Sequence, residues 1–432
     1  MRRASPWVLL VLQLGIVLFN LGHEKEQGIL SGQYLPYAAW ILGREVRPVL
    51  TYPMWGYPAL LALFRSPNVV LFLQALAAVP VLWMVMRRAC AARPDDAFAI
   101  RVLLIGALPW YFLHAVRWAS SPAIALGTAG LALLATGGLR HAAFGGLLMG
   151  LAGNFRADWS PLPVLLLLLA AVGSLVRPRF PLAPKRAAVF LGAAGLALAP
   201  WVLFTGIVAH HPTPVSTNSG MVGVITLGQL PGNPWGARHE DAYARGVLND
   251  RGHPDVDPVS PEGNRILTRI WKERIQEHPD AFVRKCLWNV VVSIAGGFYM
   301  GEPPLSAADR VAVRDVRRSI KALIQEGHRV DSSALTVPAL LATAWFLIAT
   351  LAGALFMLLT AIGLVRLRGG ILTDRWLLLS ATMIVFGLAL ASVLQAQPRH
   401  MNSLYVFAVP FAVAGGRSFV RRRFATAPVL RG

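Results

Sequence analysis

Two glutamates and three arginines have the types and positions from which a reaction on a phosphate-linked substrate could be built. Glu24 and Glu26 follow the first apolar segment, and Arg117, Arg156 and Arg399 lie in the motifs HAVRWASSP, GNFRADWSP and AQPRHMN. A carboxylate within hydrogen-bond reach can remove the proton of an attacking hydroxyl. A guanidinium donates paired, charge-assisted hydrogen bonds that match a phosphate. The set therefore suits transfer of a group to a hydroxyl, and if the leaving group is a lipid phosphate, the arginines supply the positive charge that it needs.

A simpler interpretation is open for each of these charged residues. Glu24 and Glu26 could solvate the end of the first apolar segment, and Arg156 could pair with Asp158, two positions later. The other arginines could extend toward lipid headgroups. If the arginines instead bind a phosphate-linked substrate, Asp158 and His400, as their neighbours in sequence, are candidate substrate-binding residues.

Aromatic residues crowd the same early loop. Tyr34 precedes the run TYPMWGYP at residues 51–58, which contributes Tyr52, Trp55 and Tyr57. These four rings are candidates for the wall of a sugar pocket. They also fit the belt of aromatic residues found at membrane–water interfaces.

The composition decides what kind of protein positions these residues. Of 432 residues, 55% are hydrophobic and 14% charged, and the mean hydropathy is +0.54. Apolar runs near twenty residues exclude an outer-membrane barrel and predict an all-α polytopic protein in a lipid bilayer. The net charge of +20 does not indicate a nucleic-acid partner, because the arginines punctuate apolar runs instead of forming one basic face. In the topology given below, Cys90 and Cys286 fall on opposite sides of the membrane, so we expect no disulfide between them.

The apolar runs predict about ten transmembrane helices. They lie at 6–22, 67–86, 98–114, 119–137, 142–155, 160–176, 188–208, 336–364, 374–394 and 401–416. Arginines in short loops stay on the cytoplasmic side, and this rule places both termini in the cytoplasm. The loop 23–66 and a long segment, 209–335, then lie outside.

Three parts follow from this topology: an N-terminal transmembrane module (1–208) carrying the outer loop 23–66, an outer segment (209–335), and a C-terminal transmembrane module with a basic tail (336–432). The outer segment is rich in proline, glycine and charge, and only 260–278 reads as a good helix, which Pro279 ends. The apolar stretch 282–300 is interpreted as interfacial rather than spanning.

Four stretches spread over nearly the whole chain resemble segments of one family. They are GQYLPYAAWILGREV followed by YPMWGYPALLALF, APWVLFTGIVAHHPTPVSTNSGMVGVITLGQLPG, NRILTRIWKERIQEHPDAFVRKCLWN, and QPRHMNSLYVFAVPFAVAGG. In order and spacing they resemble a bacterial GT-C fold glycosyltransferase. This multi-span class includes lipid A aminoarabinose transferases and protein O-mannosyltransferases and takes sugar from polyprenyl phosphate.

One departure from the family pattern concerns the catalytic base. The family usually carries an acidic residue three or four positions before the loop tyrosine, whereas Leu30 and Ser31 stand there before Tyr34. The nearest acids, Glu24 and Glu26, lie about two turns earlier if the segment is helical. Either one of these glutamates serves as the base, or the chemistry is altered or lost.

The resemblance implies a bacterial inner-membrane glycosyltransferase. It would move a sugar from a polyprenyl-phosphate donor to an envelope lipid, glycan or protein acceptor on the periplasmic side. Two alternatives stay open: a transporter or flippase of lipid-linked sugar, although no repeated halves stand out, and a non-catalytic relative, which the missing acid favours. Some family members use a divalent metal, while no metal-ligand set stands out in this sequence.

Overall fold

The computed structural model describes residues 5–21, 30–44, 51–295, 337–394 and 398–425. These ranges are helical and contain no β-strand. The helices are α1 Ser5–Leu21, α2 Leu35–Ile41, α3 Gly56–Phe64, α4 Pro67–Ala92, α5 Ala97–Ile105, α6 Leu108–His114, α7 Ser120–Thr136, α8 Leu139–Phe155, α9 Leu162–Val176, α10 Pro184–Ile207, α11 Ser219–Thr226, α12 Asp241–Asp250, α13 Pro261–Glu277, α14 Pro279–Ala295, α15 Val337–Arg366, α16 Arg368–Ile371, α17 Arg375–Val393 and α18 Pro398–Ala425.

Several of these helices are long and apolar enough to cross a membrane, as expected of a multi-pass helical membrane protein. Within the described ranges five qualify: Pro67–Ala92, Ala157–Val176, Pro184–Ile207, Leu340–Arg366 and Arg375–Val393. The pair α5 and α6, bent by 42°, would make a sixth if it forms one span. Helices cover all ten predicted positions, with two of them, α5 and α6, at 98–114. The prediction of a helical membrane protein is confirmed, but the described residues support five or six spans and not ten. Helices such as α1 and α7, with 17 residues each, are shorter than the usual spanning length.

The central bundle is held by close backbone contacts between α8 and its neighbours α7 and α10. A Cβ atom added at Gly146 would lie 2.2 Å from the carbonyl oxygen of Phe190, and one at Gly150 would lie 2.2 Å from that of Ala194. Side chains at these two positions would push α8 away from α10. The glycines therefore let the two helices pack backbone to backbone, as small residues do in membrane bundles.

The outer segment contains more helix than its sequence predicts. The helix predicted at 260–278 is confirmed as α13, which begins where the Ser260 hydroxyl accepts a hydrogen bond from the Gly263 amide at 3.0 Å. The expectation of only one good helix is wrong, because α11, α12 and α14 lie in the same segment. Helices α11, α12 and α13 share a small buried core that includes Val224, Leu248 and Leu267. Short helices like α11 and α12 carry weak patterns, and packing in this core stabilises them.

Helix α14 has an apolar exposed face and a polar buried one. Val283, Leu287 and Val291 are more than half exposed, whereas Lys285 and Asn289 are fully buried. The buried face packs against α17. Helix α14 is not among the helices that qualify as spans, and the interfacial location of 282–300 stays a prediction.

Candidate functional site

The aromatic residues in the described part of the loop 23–66 form one packed group. A short π-helical turn, Leu30–Tyr34, ends at Tyr34 and leads directly into α2. The Tyr34 ring meets the edge of the Tyr57 ring, with centroids 4.9 Å apart, and Tyr57 is fully buried. The Tyr52 hydroxyl donates to the Gln33 side-chain oxygen at 3.4 Å. The two halves of the loop, which are separated in sequence, therefore meet at these tyrosines.

The start of α3 fixes this aromatic group against the end of α8. The Trp55 indole donates to the Asn154 side-chain oxygen at 3.0 Å. A Cβ atom at Gly56 would lie 2.7 Å from the Asn154 carbonyl oxygen, so only glycine allows this approach. Asn154 is itself held, since its amide donates to the Ala197 carbonyl at 2.8 Å. The TYPMWGYP run therefore packs beside the GNFRADWSP motif.

Arg156 is the central cation of this region. Its guanidinium pairs with both oxygens of Asp158, at 3.1 and 2.9 Å, and also donates to the Ser120 hydroxyl at 2.5 Å. Burial acts against the charge, but the Asp158 carboxylate, with smaller contributions from Tyr34 and Tyr52, more than offsets it, so the pKa of Arg156 is raised. About a quarter of the side chain stays exposed, at 27%. Arg156 is therefore a fixed, permanently charged group that a ligand can still reach.

The simpler interpretation of Arg156 is confirmed in one respect, because the residue does pair with Asp158. The pairing is compatible with ligand binding, since a bidentate carboxylate fixes the plane of the guanidinium and leaves part of it accessible. A third contact, to Ser120, comes from the first residue of α7. Arg156 is thus held by two different segments of the chain.

Arg117 has a different partner. Its guanidinium donates to the Asn68 side-chain oxygen, at the first turn of α4. Arg117 lies three residues before Ser120, which is the first residue of α7 and a partner of Arg156. The two arginines are therefore on the same side of the bundle, attached to different helix ends.

The outer segment is tied to the first loop by a hydroxyl pair. The Thr51 and Thr217 hydroxyl oxygens are 2.6 Å apart, and the Thr217 amide donates to the Thr51 carbonyl at 3.2 Å. The Thr217 hydroxyl also donates to the Val259 carbonyl at 2.6 Å. Both threonines are buried. This contact holds the start of the outer segment beside the aromatic group.

Four predicted site residues have side chains outside the described part of the structure. Glu24 and Glu26 lie outside the described residues. Arg399 and His400 belong to the first turn of α18, and only their backbone is described. Among the residues that the structure describes, no group of three or more histidine, cysteine, aspartate or glutamate side chains could hold a metal ion.

Sequence reasoning missed the residues that position the arginine and the aromatic rings. Ser120, Asn154 and Gln33 carry no chemical signature by themselves. Only Asn154 had a signal, because it lies two positions before Arg156 in the GNFRADWSP motif. All three act by joining segments that are distant in sequence.

A second polar cluster, built around Lys285, was also missed. The ammonium donates to the carbonyls of Ser392, Val393 and Leu394 at 3.2, 2.6 and 3.1 Å. One turn later, Asn289 donates to the Ser392 carbonyl at 3.1 Å. Burial lowers the pKa of the Lys285 amine to about 8. In the sequence this lysine marks the charged edge of an apolar stretch, whereas the folded chain uses it to cap the C-terminal end of α17.

The arrangement around Arg156 can bind an anion next to aromatic surfaces at one face of the bundle. It combines a fixed guanidinium, two nearby tyrosine hydroxyls and a tryptophan held by hydrogen bonding. Comparison of the chain with protein-family models, with curated proteins and with solved structures finds no match. The resemblance to GT-C glycosyltransferases therefore stays a prediction that depends on the four sequence stretches.

Proposed function

We propose that this protein is an integral membrane glycosyltransferase that moves a sugar from a polyprenyl-phosphate donor to an acceptor hydroxyl at the outer membrane face. The observation that carries the proposal is the Arg156 guanidinium, held by Asp158 and Ser120 beside Tyr34 and Tyr52. A phosphate requires a fixed donor of paired hydrogen bonds, and a sugar ring binds well against aromatic side chains with polar edges.

In the proposed reaction the acceptor oxygen attacks the anomeric carbon of the sugar. The bond between that carbon and the phosphate oxygen breaks, and the lipid phosphate leaves with the electron pair. Glu24 or Glu26 takes the proton of the acceptor hydroxyl. Arg156 stabilises the negative charge that develops on the leaving phosphate, which is the step where a fixed positive charge contributes most.

The position of the site supports a lipid-linked donor. Arg156 directly follows α8 and precedes a candidate span, Ala157–Val176. Arg156 can therefore contact a phosphate at the end of these helices while the polyprenyl chain of the donor stays among the apolar helices. The Thr51 and Thr217 contact places the outer segment next to the same loop, where it can cover the donor and exclude water.

The test uses the full-length protein in liposomes with radiolabelled undecaprenyl-phosphate-linked hexoses and pentoses and an envelope extract as the source of acceptors. Label should move from the donor into the acceptor fraction. Arg156→Lys keeps the charge but removes the planar fork, and it should lower the rate about a hundredfold. Arg245→Lys, the same exchange at an exposed position of α12, is the matched control.

Three results would contradict the proposal. The first is the absence of transfer with every donor. The second is an Arg156→Lys variant that folds and transfers at the wild-type rate. The third is movement of the intact donor across the bilayer without transfer, which would identify a transporter.

A further inference from the structure

An arginine-lined cavity lies at the end of the bundle opposite to Arg117 and Arg156. Its volume is about 200 Å³, and its lining consists of Arg93, Asp95, Arg366, Leu367, Ala414 and Arg417. Arg93 directly follows the last residue of α4, whereas Asn68, the partner of Arg117, lies in the first turn of that helix. The 26 residues of α4 make it roughly 39 Å long at 1.5 Å per residue. The cavity therefore lies near the opposite end of this candidate membrane span.

Two of the three arginines are held in place by one buried carboxylate. Asp96 is only 1% exposed. Its oxygens accept a hydrogen bond from the Arg93 Nε atom at 2.8 Å and lie 2.6 Å from the Arg417 Nε atom. The Nη2 atoms of the two arginines are also engaged, by Asp96 and by the Asp95 carbonyl. Within the described part of the chain, their Nη1 groups make no hydrogen bond.

The cavity keeps an excess of positive charge. Arg366, at the end of α15, makes no ion pair or hydrogen bond with any other described residue. Three guanidiniums thus face two carboxylates, and one positive charge is left uncompensated. Arginines that serve only to fix membrane topology need no buried carboxylate beneath them. Asp96, which aligns two guanidiniums that come from distant parts of the chain, indicates a built anion site.

We propose that this cavity binds a phosphate group, with the free edges of Arg93 and Arg417 on one side and Arg366 on the other. The three arginines can donate several charge-assisted hydrogen bonds to phosphate oxygens. The phosphate would belong to the headgroup of an anionic phospholipid or to a soluble phosphate compound. Since the cavity is distant from Arg156, the proposal does not depend on glycosyl transfer.

The experiment measures thermal stabilisation of the full-length protein in neutral detergent by two probes, phosphatidylglycerol and inorganic phosphate, with phosphatidylcholine as the uncharged reference lipid. Arg366→Gln is the test variant. Arg366 is exposed, and the substitution breaks no ion pair or hydrogen bond with another described residue. Arg368→Gln, an exposed arginine two positions later that does not line the cavity, is the control. The apparent affinity should fall about tenfold in Arg366→Gln, as expected for one lost charged contact, and stay unchanged in Arg368→Gln.

The two probes distinguish the sources of the phosphate. Stabilisation by phosphatidylglycerol alone assigns the site to a lipid headgroup, and equal stabilisation by inorganic phosphate assigns it to a soluble ligand. The proposal is overturned if neither probe stabilises the wild type, or if both variants respond as the wild type does.

Discussion

Replacing Lys285 by methionine should remove one pH-dependent contribution to the stability of the protein. The side chain is fully buried, and its three donors match three carbonyls at the C-terminal end of α17, those of Ser392, Val393 and the following Leu394. Methionine has a similar volume and keeps the packing, but it carries neither donors nor a titratable group. The comparison therefore separates the charge of Lys285 from its shape.

The sign of the effect follows from the pKa of the amine in the two states. In the folded protein the pKa is lowered to about 8, from an ordinary value of 10.5. Between these values the unfolded chain binds more protons than the folded protein, so the free energy of unfolding rises with pH. The difference corresponds to about 3 kcal/mol over the full interval and about 2 kcal/mol from pH 7 to 9.5. The wild type should therefore gain stability relative to Lys285→Met as the pH rises.

The assay is unfolding by sodium dodecyl sulfate in mixed micelles, followed by circular dichroism at several pH values. The quantity compared is the difference in unfolding free energy between the wild type and Lys285→Met, because contributions from other titrating groups cancel in it. Lys272→Met, at an exposed position of α13, is the control, and its difference from the wild type should not follow this pH dependence.

A constant difference across this pH range would show that Lys285 titrates alike in both states. A difference that shrinks as the pH rises would mean that the three carbonyls favour the ammonium more than burial disfavours it. Either result would refute the reasoning, because it would show that desolvation does not dominate at this site.

Two further substitutions test how the elements are joined. Gly150→Ala should lower the free energy of unfolding by about 1–3 kcal/mol, because the added methyl group meets the Ala194 carbonyl of α10. Gly192→Ala, where a Cβ atom meets nothing within 4 Å, should leave the same detergent titration unchanged or slightly improved, and equal losses in the two variants would contradict close packing as the cause. Thr217→Val keeps the shape but removes the buried hydroxyl that contacts Thr51. It should lower the unfolding free energy by about 1–3 kcal/mol, and a variant as stable as the wild type would show that the outer segment is held by other contacts.

Part of the site could be predicted from local sequence alone. Arg156 and Asp158 lie two positions apart, so their pairing depends only on the loop that both share, and it was one of the predicted alternatives. The cap of α13 was equally local, since Ser260 needs only the next turn of chain to find its partner. The meeting of Arg156 with Ser120, and of Trp55 with Asn154, could not be predicted, because it depends on how α3, α7 and α8 pack.

Lys285 shows the same limit at another place in the chain. A lysine beside an apolar stretch is expected to extend into water or to a headgroup. Instead, Lys285 is buried and donates to carbonyls more than a hundred positions later. No local sequence pattern predicts these partners.

The sequence by itself determined the class of this protein, because apolar runs of spanning length require a membrane environment and helical backbone. It also determined which residue types are available for chemistry at each helix end. Only the tertiary structure decided which of these residues meet. A hydrogen bond or an ion pair acts over about 3 Å, and packing of the helices sets distances on that scale between segments separated by dozens or hundreds of residues.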